Sequence, residues 1–250
     1  MSETTEVATA ADGELFHVRW IMPEGFFELP TEAEDIDELA DKLIDLAKEI
    51  QPKSTPEMQY LWAAMVGSTY DELVDAGVQY AGFVVTEVDD VRCTAHVSIA
   101  LADLPDEARF SPVEGTARAL RALGRGDVEE LSLPCGPAVS WIGSRRAAVD
   151  GSLTPSGEEE PFWSSFINVQ VPLSNGTVVV LEMSTPTMEG WDVFSSMFAG
   201  VCRSLQLFDA VGSPVDSKGR PIEIAEIAEI AETAEIAETA EAVETAETAQ

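Results

Sequence analysis

The chain has 250 residues, 45% of them hydrophobic, and 46 acidic side chains against 14 basic ones give it a formal net charge of −32. That is enough apolar material for one large or two small globular domains. So negative a field repels phosphate backbones and anionic headgroups, which makes nucleic acid and membrane surfaces poor partners and favours soluble, cationic ones, so the expectation is no nucleic acid and no membrane insertion. The first residues form neither a basic nor an apolar segment, and no later run is long and apolar enough to insert in a bilayer, so the expected location is the cytoplasm. Cys93, Cys135 and Cys202 are odd in number and form no Cys-x-x-Cys pair, so neither a disulfide framework nor a thiolate metal site is indicated.

Residues 1–13 are small, acidic and without period, and read as a disordered leader. In residues 15–22, Phe16, Val18, Trp20 and Met22 alternate with His17 and Arg19, the pattern of a half-buried strand. Thr31 and Glu34 have capping-box spacing ahead of a helix whose stripe is Ile36, Leu39, Ala40, Leu43, Ala47 and Ile50. A second helix opens at Ser54-Thr55-Pro56 and runs through Met58, Leu61, Trp62, Met65, Thr69 and Leu73 to a glycine stop at Gly77. Next comes a hairpin turning at Asp89-Asp90, which sets Glu87 opposite Arg92. A third helix, again with capping-box spacing at Ser111 and Glu114, ends near Gly124. Residues 128–144 give two strands around the bend Pro134-Cys135-Gly136-Pro137, and residues 147–161, nearly devoid of apolar side chains, read as a long surface loop.

The most informative stretch is residues 162–207. Asn175-Gly176 between apolar runs signals a hairpin, read as a two-residue type I′ turn that sets Leu173 opposite Val178 and Val171 opposite Val180. In that register Val179, Leu181 and Met183 share the opposite face with Asn168 and Gln170. Trp191, Phe194, Phe198, Val201, Cys202 and Leu205 then recur at helical spacing and should pack back on the hairpin. From Glu223 to Glu247 glutamate stands at every third position with no basic residue between. A period of three rotates around a 3.6-residue helix, so no lasting apolar face forms and the tail reads as disordered. The fold class expected is α+β: a mostly antiparallel sheet of about six to seven strands with helices packed on it. The expected division is a leader at 1–13, a single domain at 14–209, and a linker with a low-complexity tail at 210–250.

Chemistry-bearing patterns are sparse. Cys135, on a turn beside Gly136, has the setting of an exposed nucleophile, but His17 and His96 stand far apart and neither belongs to a signature that would serve it as base. A small residue filling a tight bend is the simpler reading. Arg118 and Arg121 share one side of the third helix with Arg125, and Arg145-Arg146 closes a strand, so these cations could line an anion pocket. Solvated arginines relieving self-repulsion are the simpler reading here too. No phosphate-binding loop, nucleophile elbow or dinucleotide fingerprint occurs, and no metal or other cofactor is implied.

The order of elements, with Leu133-Pro134-Cys135-Gly136-Pro137-Ala138-Val139, Val169-Gln170-Val171-Pro172 and Val180-Leu181-Glu182-Met183-Ser184-Thr185-Pro186, resembles the PsbP-like fold family. That family includes the LpqN-like actinobacterial proteins, some with a Leu-Pro-x-Gly-Pro-Ala-Val phrase. The resemblance implies a protein-binding role without shared catalytic residues. Two functions follow as expectations. The first is a non-catalytic module that holds a protein partner on its sheet or in a cleft beside Leu133, Pro134, Cys135 and Gly136. The second is an enzyme or ligand binder that takes an anionic compound on Arg118, Arg121, Arg145 and Arg146. The tail offers no face to bury, so deleting residues 221–250 should leave the melting temperature nearly unchanged. A fall of more than about 5 °C, roughly 2 kcal/mol for a domain of this size, would show that the tail docks.

Overall fold

Seven antiparallel strands with alternating side chains build the main sheet of the computed structural model, which describes residues 2–9, 15–31, 33, 35–104, 108–154 and 156–222. The strands are β1 (Ser2–Thr9), β2 (Leu15–Met22), β3 (Phe26–Glu28), β4 (Val78–Val88), β5 (Val91–Asp103), β6 (Asp127–Leu133), β7 (Gly136–Val149), β8 (Glu160–Pro172), β9 (Thr177–Thr185), β10 (Gln206–Phe208) and β11 (Pro214–Val215). The helices are α1 (Ile36–Ile50), α2 (Pro56–Gly67), α3 (Tyr70–Asp75), α4 (Pro112–Ala122) and α5 (Trp191–Ser204). The main sheet runs β3-β4-β5-β9-β8-β7-β6, and a second sheet runs β1-β2-β10-β11. The architecture is therefore α+β, as the alternation of patterns indicates.

One face of the main sheet carries the principal core. Cross-strand rows such as Tyr80, Ile99, Leu181 and Val169 run continuously from β4 to β8. Above them lie Phe16, Val18, Trp20 and Met22 of β2 and Phe194, Phe198, Val201, Cys202 and Leu205 of α5. Helix α5 packs on both β9 and β2, so it covers the Asn-Gly hairpin and also joins the two sheets. The opposite face is covered at its two ends. α1 and α2 pack over β4 through Leu39, Leu43, Trp62 and Ala63 against Ala81, Phe83 and Val85, while Ala117 and Leu120 of α4 meet Val139 and Trp141 of β7.

Several local expectations are corrected. Residues 2–9 form β1 and pair with β2, where a leader without structure was expected. The cap of α1 is Asp35, whose carboxylate accepts from the Asp37 and Glu38 amides at 3.0 and 2.9 Å, and not Thr31. Ser111 makes no side-chain cap on α4. The second helix divides at Ser68-Thr69 into α2 and α3. β7 and β8 extend to Val149 and Glu160, so the surface loop shrinks to residues 150–159. The chain from 210 to 222 is no linker: Val215 and Ser217 are buried, the Ser217 amide donates to the Cys135 carbonyl at 2.7 Å, and the Ile222 amide donates to Pro214. A clean tail truncation therefore starts at residue 223, and the expected disorder of residues 223–250 lies outside the described residues.

The Asn-Gly turn carries the largest correction. Only Gly176 is left-handed there (φ 85°). Gly176 donates its amide to Leu173, and Leu173 donates to Thr177, which makes a type I turn closed by a glycine bulge in place of type I′. The extra residue shifts the register by one, so Val171 faces Val179 and Val169 faces Leu181. That slip moves Val179, Leu181 and Met183 from the outer face onto the core face, where all three are buried. Phe198 lies at 2% exposure among these residues. Phe198→Ala should thus lose about 3–5 kcal/mol in denaturant unfolding, and an unchanged melting temperature would remove α5 from the core.

Candidate functional site

Between the two helical layers the middle of the outer face carries a mixed set of polar and aromatic residues, of which Asn168 and Phe166 are buried and Ser98, His96, Glu182 and Ser184 partly exposed. One row across the strands reads Ala81, Ser98, Glu182, Asn168 and Trp141, and the next reads Phe83, His96, Ser184 and Phe166. A chain of hydrogen bonds crosses this floor. Gln170 Nε2 donates to Asn168 Oδ1 at 3.0 Å, Asn168 Nδ2 donates to Glu182 Oε2 at 3.0 Å, and Arg145 donates to Glu182 Oε1 at 2.6 Å while lying over the Phe166 ring. Each charge is answered by a neighbour, so the half-exposed Arg145–Glu182 pair holds its geometry without adding much stability. His96 packs edge-on to Phe83, and burial pushes its imidazole down to about 4, with Glu182 opposing the shift and Arg145 adding to it. It is neutral near pH 7 and makes no hydrogen bond among the described residues.

The other expected residues do not form one site. Leu133 packs against the principal core, and Pro134 and Cys135 make the tight β6–β7 turn. The side chain of Ser217 closes over Gly136 (φ 135°), where a Cβ would collide with its hydroxyl. The cleft expected beside Leu133, Pro134, Cys135 and Gly136 is therefore filled by the chain's own residues 215–217. Cys135 is 2% exposed and burial pushes its thiol up to about 12, the reverse of what a nucleophile requires.

Nor do the arginines converge. Arg121 reaches the Val128 carbonyl and Glu130 on β6, and Arg118 is exposed on α4. Arg145 and Arg146, adjacent on β7, project from opposite faces of the sheet: Arg145 meets Glu182 on the outer face, and Arg146 stands opposite Trp163. No common anion pocket forms.

A concavity that sequence reasoning missed lies in the α1–α2 layer. It is a groove of about 300 Å³ whose buried floor is Leu39, Leu43 and Ala63 and whose exposed edges carry Ile36, Ala40, Tyr60 and Ala64. Ile36 is 79% exposed and Tyr60 66% exposed, large apolar surfaces that the domain leaves in water. The signal was present in the width of the apolar pattern. Ile36, Leu39, Ala40, Leu43 and Ile44 form a stripe wider than one contact with a sheet can bury, and α2 is apolar on several sides.

Compared with known proteins, the chain matches no family model and shows no significant similarity to a curated protein. No helix of the described residues is long and apolar enough to cross a membrane, and no group of three or more His, Cys, Asp or Glu side chains among them could hold a metal ion. The thiol geometry gives a direct test. Cys93, Cys135 and Cys202 are all buried, so a disulfide-exchange reagent should label none of them in the native protein and all three after denaturation. Fast native labelling of Cys135 would contradict its burial.

Proposed function

We propose that this protein is a non-catalytic protein-binding module and that the α1–α2 groove is its docking surface. The observation that carries the reading is the groove itself, an apolar slot at the lower end of the size range of binding sites, lying on the solvent side of a helical pair whose other side already seals the sheet. A buried apolar floor of Leu39, Leu43 and Ala63, with Ile36 and Tyr60 standing above it and small Ala40 and Ala64 leaving room at the edges, gives the relief that accepts protruding side chains. Helix-in-groove recognition uses this arrangement. Exposed aliphatic and aromatic side chains at a concave spot mark an interaction site more strongly than the same residues scattered singly.

The kinship with PsbP-like proteins and the cytoplasmic location belong to this proposal. They are supported by the order of elements, the Leu133 to Val139 phrase and the acidic composition. The competing idea of an anion site on clustered arginines lost its geometric basis when Arg145 and Arg146 emerged on opposite faces of the sheet.

A photo-crosslinking amino acid placed at position 60, in the cells that naturally make the protein, tests the reading. It should give discrete protein adducts that disappear in the Ala40→Arg variant, while the same group at Asp89, on the β4–β5 turn, gives none. Adducts that persist in the variant, or appear equally at both positions, would sink the groove as a docking surface.

A further inference from the structure

The rim of the α1–α2 groove says which kind of partner it accepts, an inference that rests on the docking reading above. Helical spacing sets Asp37 and Asp41 in the row beside Ile36, Ala40 and Ile44, and Glu57 beside Tyr60 and Ala64; all three acids are exposed. The two lysines of α1 are already engaged within the helix. Lys42 pairs with Glu38 at 2.8 Å and Lys48 with Asp45 at 2.7 Å. Asp71, Glu72 and Asp75 of α3, the helix that follows α2 in the chain, are exposed acids as well. The groove is thus apolar inside and negative around its mouth, on a chain whose whole field has the same sign.

We propose that the occupant is a cationic amphipathic helix from another protein, with apolar residues on one face and lysine or arginine on both flanks of that face. Length supports a helix. The lining runs from Ile36 to Ile44 and from Tyr60 to Ser68, roughly 12 Å along each helix, which matches about two turns of a docked helix with anchors at i, i+3 or i+4 and i+7 reaching the floor of Leu39, Leu43 and Ala63. Charge selects among the alternatives. A second copy of this chain brings another net charge of −32, and an anionic lipid surface brings its own negative field. The chain's residues 223–250 carry glutamate at every third position and no base. Each of these occupants would meet a rim of its own sign, whereas a basic flank would be drawn in and oriented by it.

The test uses the full chain and labelled model peptides of about 18 residues, roughly 27 Å as a helix. All share leucines at i, i+4, i+7 and i+11, with lysine, glutamate or glutamine filling the other positions; a scrambled lysine peptide serves as control. The lysine peptide should bind saturably at one site and weaken at least about tenfold between low and physiological salt. The glutamate and scrambled peptides should not bind. Two folded variants localise the effect. Ala40→Leu combined with Ala64→Trp fills the slot without changing charge and should abolish binding, and Asp37→Asn, Asp41→Asn and Glu57→Gln together should weaken the lysine peptide several-fold.

If the lysine peptide binds the filled variant as well as the parent chain, the attraction is diffuse and the inference falls. If all three amphipathic peptides bind alike and filling the slot abolishes each, the groove docks helices without choosing by charge. The docking reading then stands and the cationic partner does not.

Discussion

The fold depends on covering one apolar face of a seven-stranded antiparallel sheet. Rows such as Tyr80, Ile99, Leu181 and Val169 present a continuous hydrophobic surface that no single helix is wide enough to seal. Two elements distant in sequence meet this demand together, β2 near the start of the chain and α5 near its end. They are tied to each other by β10, which follows α5 and pairs with β2, and by Ser204 at the end of α5, whose hydroxyl accepts from the Ile21 amide at 2.9 Å. Residues 16–22 and 191–215 are thus parts of one core, which is why residues 210–222 belong to the domain.

The opposite face is governed by a weaker constraint. Its ends are apolar and carry helices, but its middle holds Ser98, His96, Glu182, Asn168 and Gln170, whose polar groups would be expensive to bury unpaired. Leaving Ser98, His96, Glu182 and Gln170 partly exposed, and pairing the buried Asn168 with Glu182 and Gln170, satisfies the requirement. The two helical layers are consequently separate. α4 is small and packs on β6, β7 and β8, whereas the α1–α2 pair has more apolar surface than its patch of sheet can cover. The surplus becomes the groove.

Charge acts on a different level from either face. Among the described residues most acids lie on helix flanks and turns, where water screens their mutual repulsion, so they shape the field around the groove more than the packing beneath it. An apolar slot in so acidic a surface combines a non-directional attraction with a long-range sign preference. The slot supplies affinity, and the rim supplies orientation and discrimination between partners.

What the sequence determined by itself was whatever depends on near neighbours. The β2 alternation, the Asp89-Asp90 hairpin with Glu87 opposite Arg92, the α5 stripe and the α+β class were all legible, because strand and helix periodicities are local and the Asp89 and Asp90 turn needs only two left-handed residues. Tertiary structure decided the rest. A single residue in the Asn175-Gly176 turn set which face of β9 is buried, and flanking composition is equally compatible with both registers. Cys135 is dipeptide-adjacent to a glycine in either reading, and only the return of Ser217, distant in sequence, shows it to be sealed. Ile36 and Leu39 lie on the same stripe of α1, yet one is in water and the other in the core. Periodicity reports that a face is apolar, while how much of that face is covered depends on the width of what packs against it, a quantity set by elements far away in the sequence.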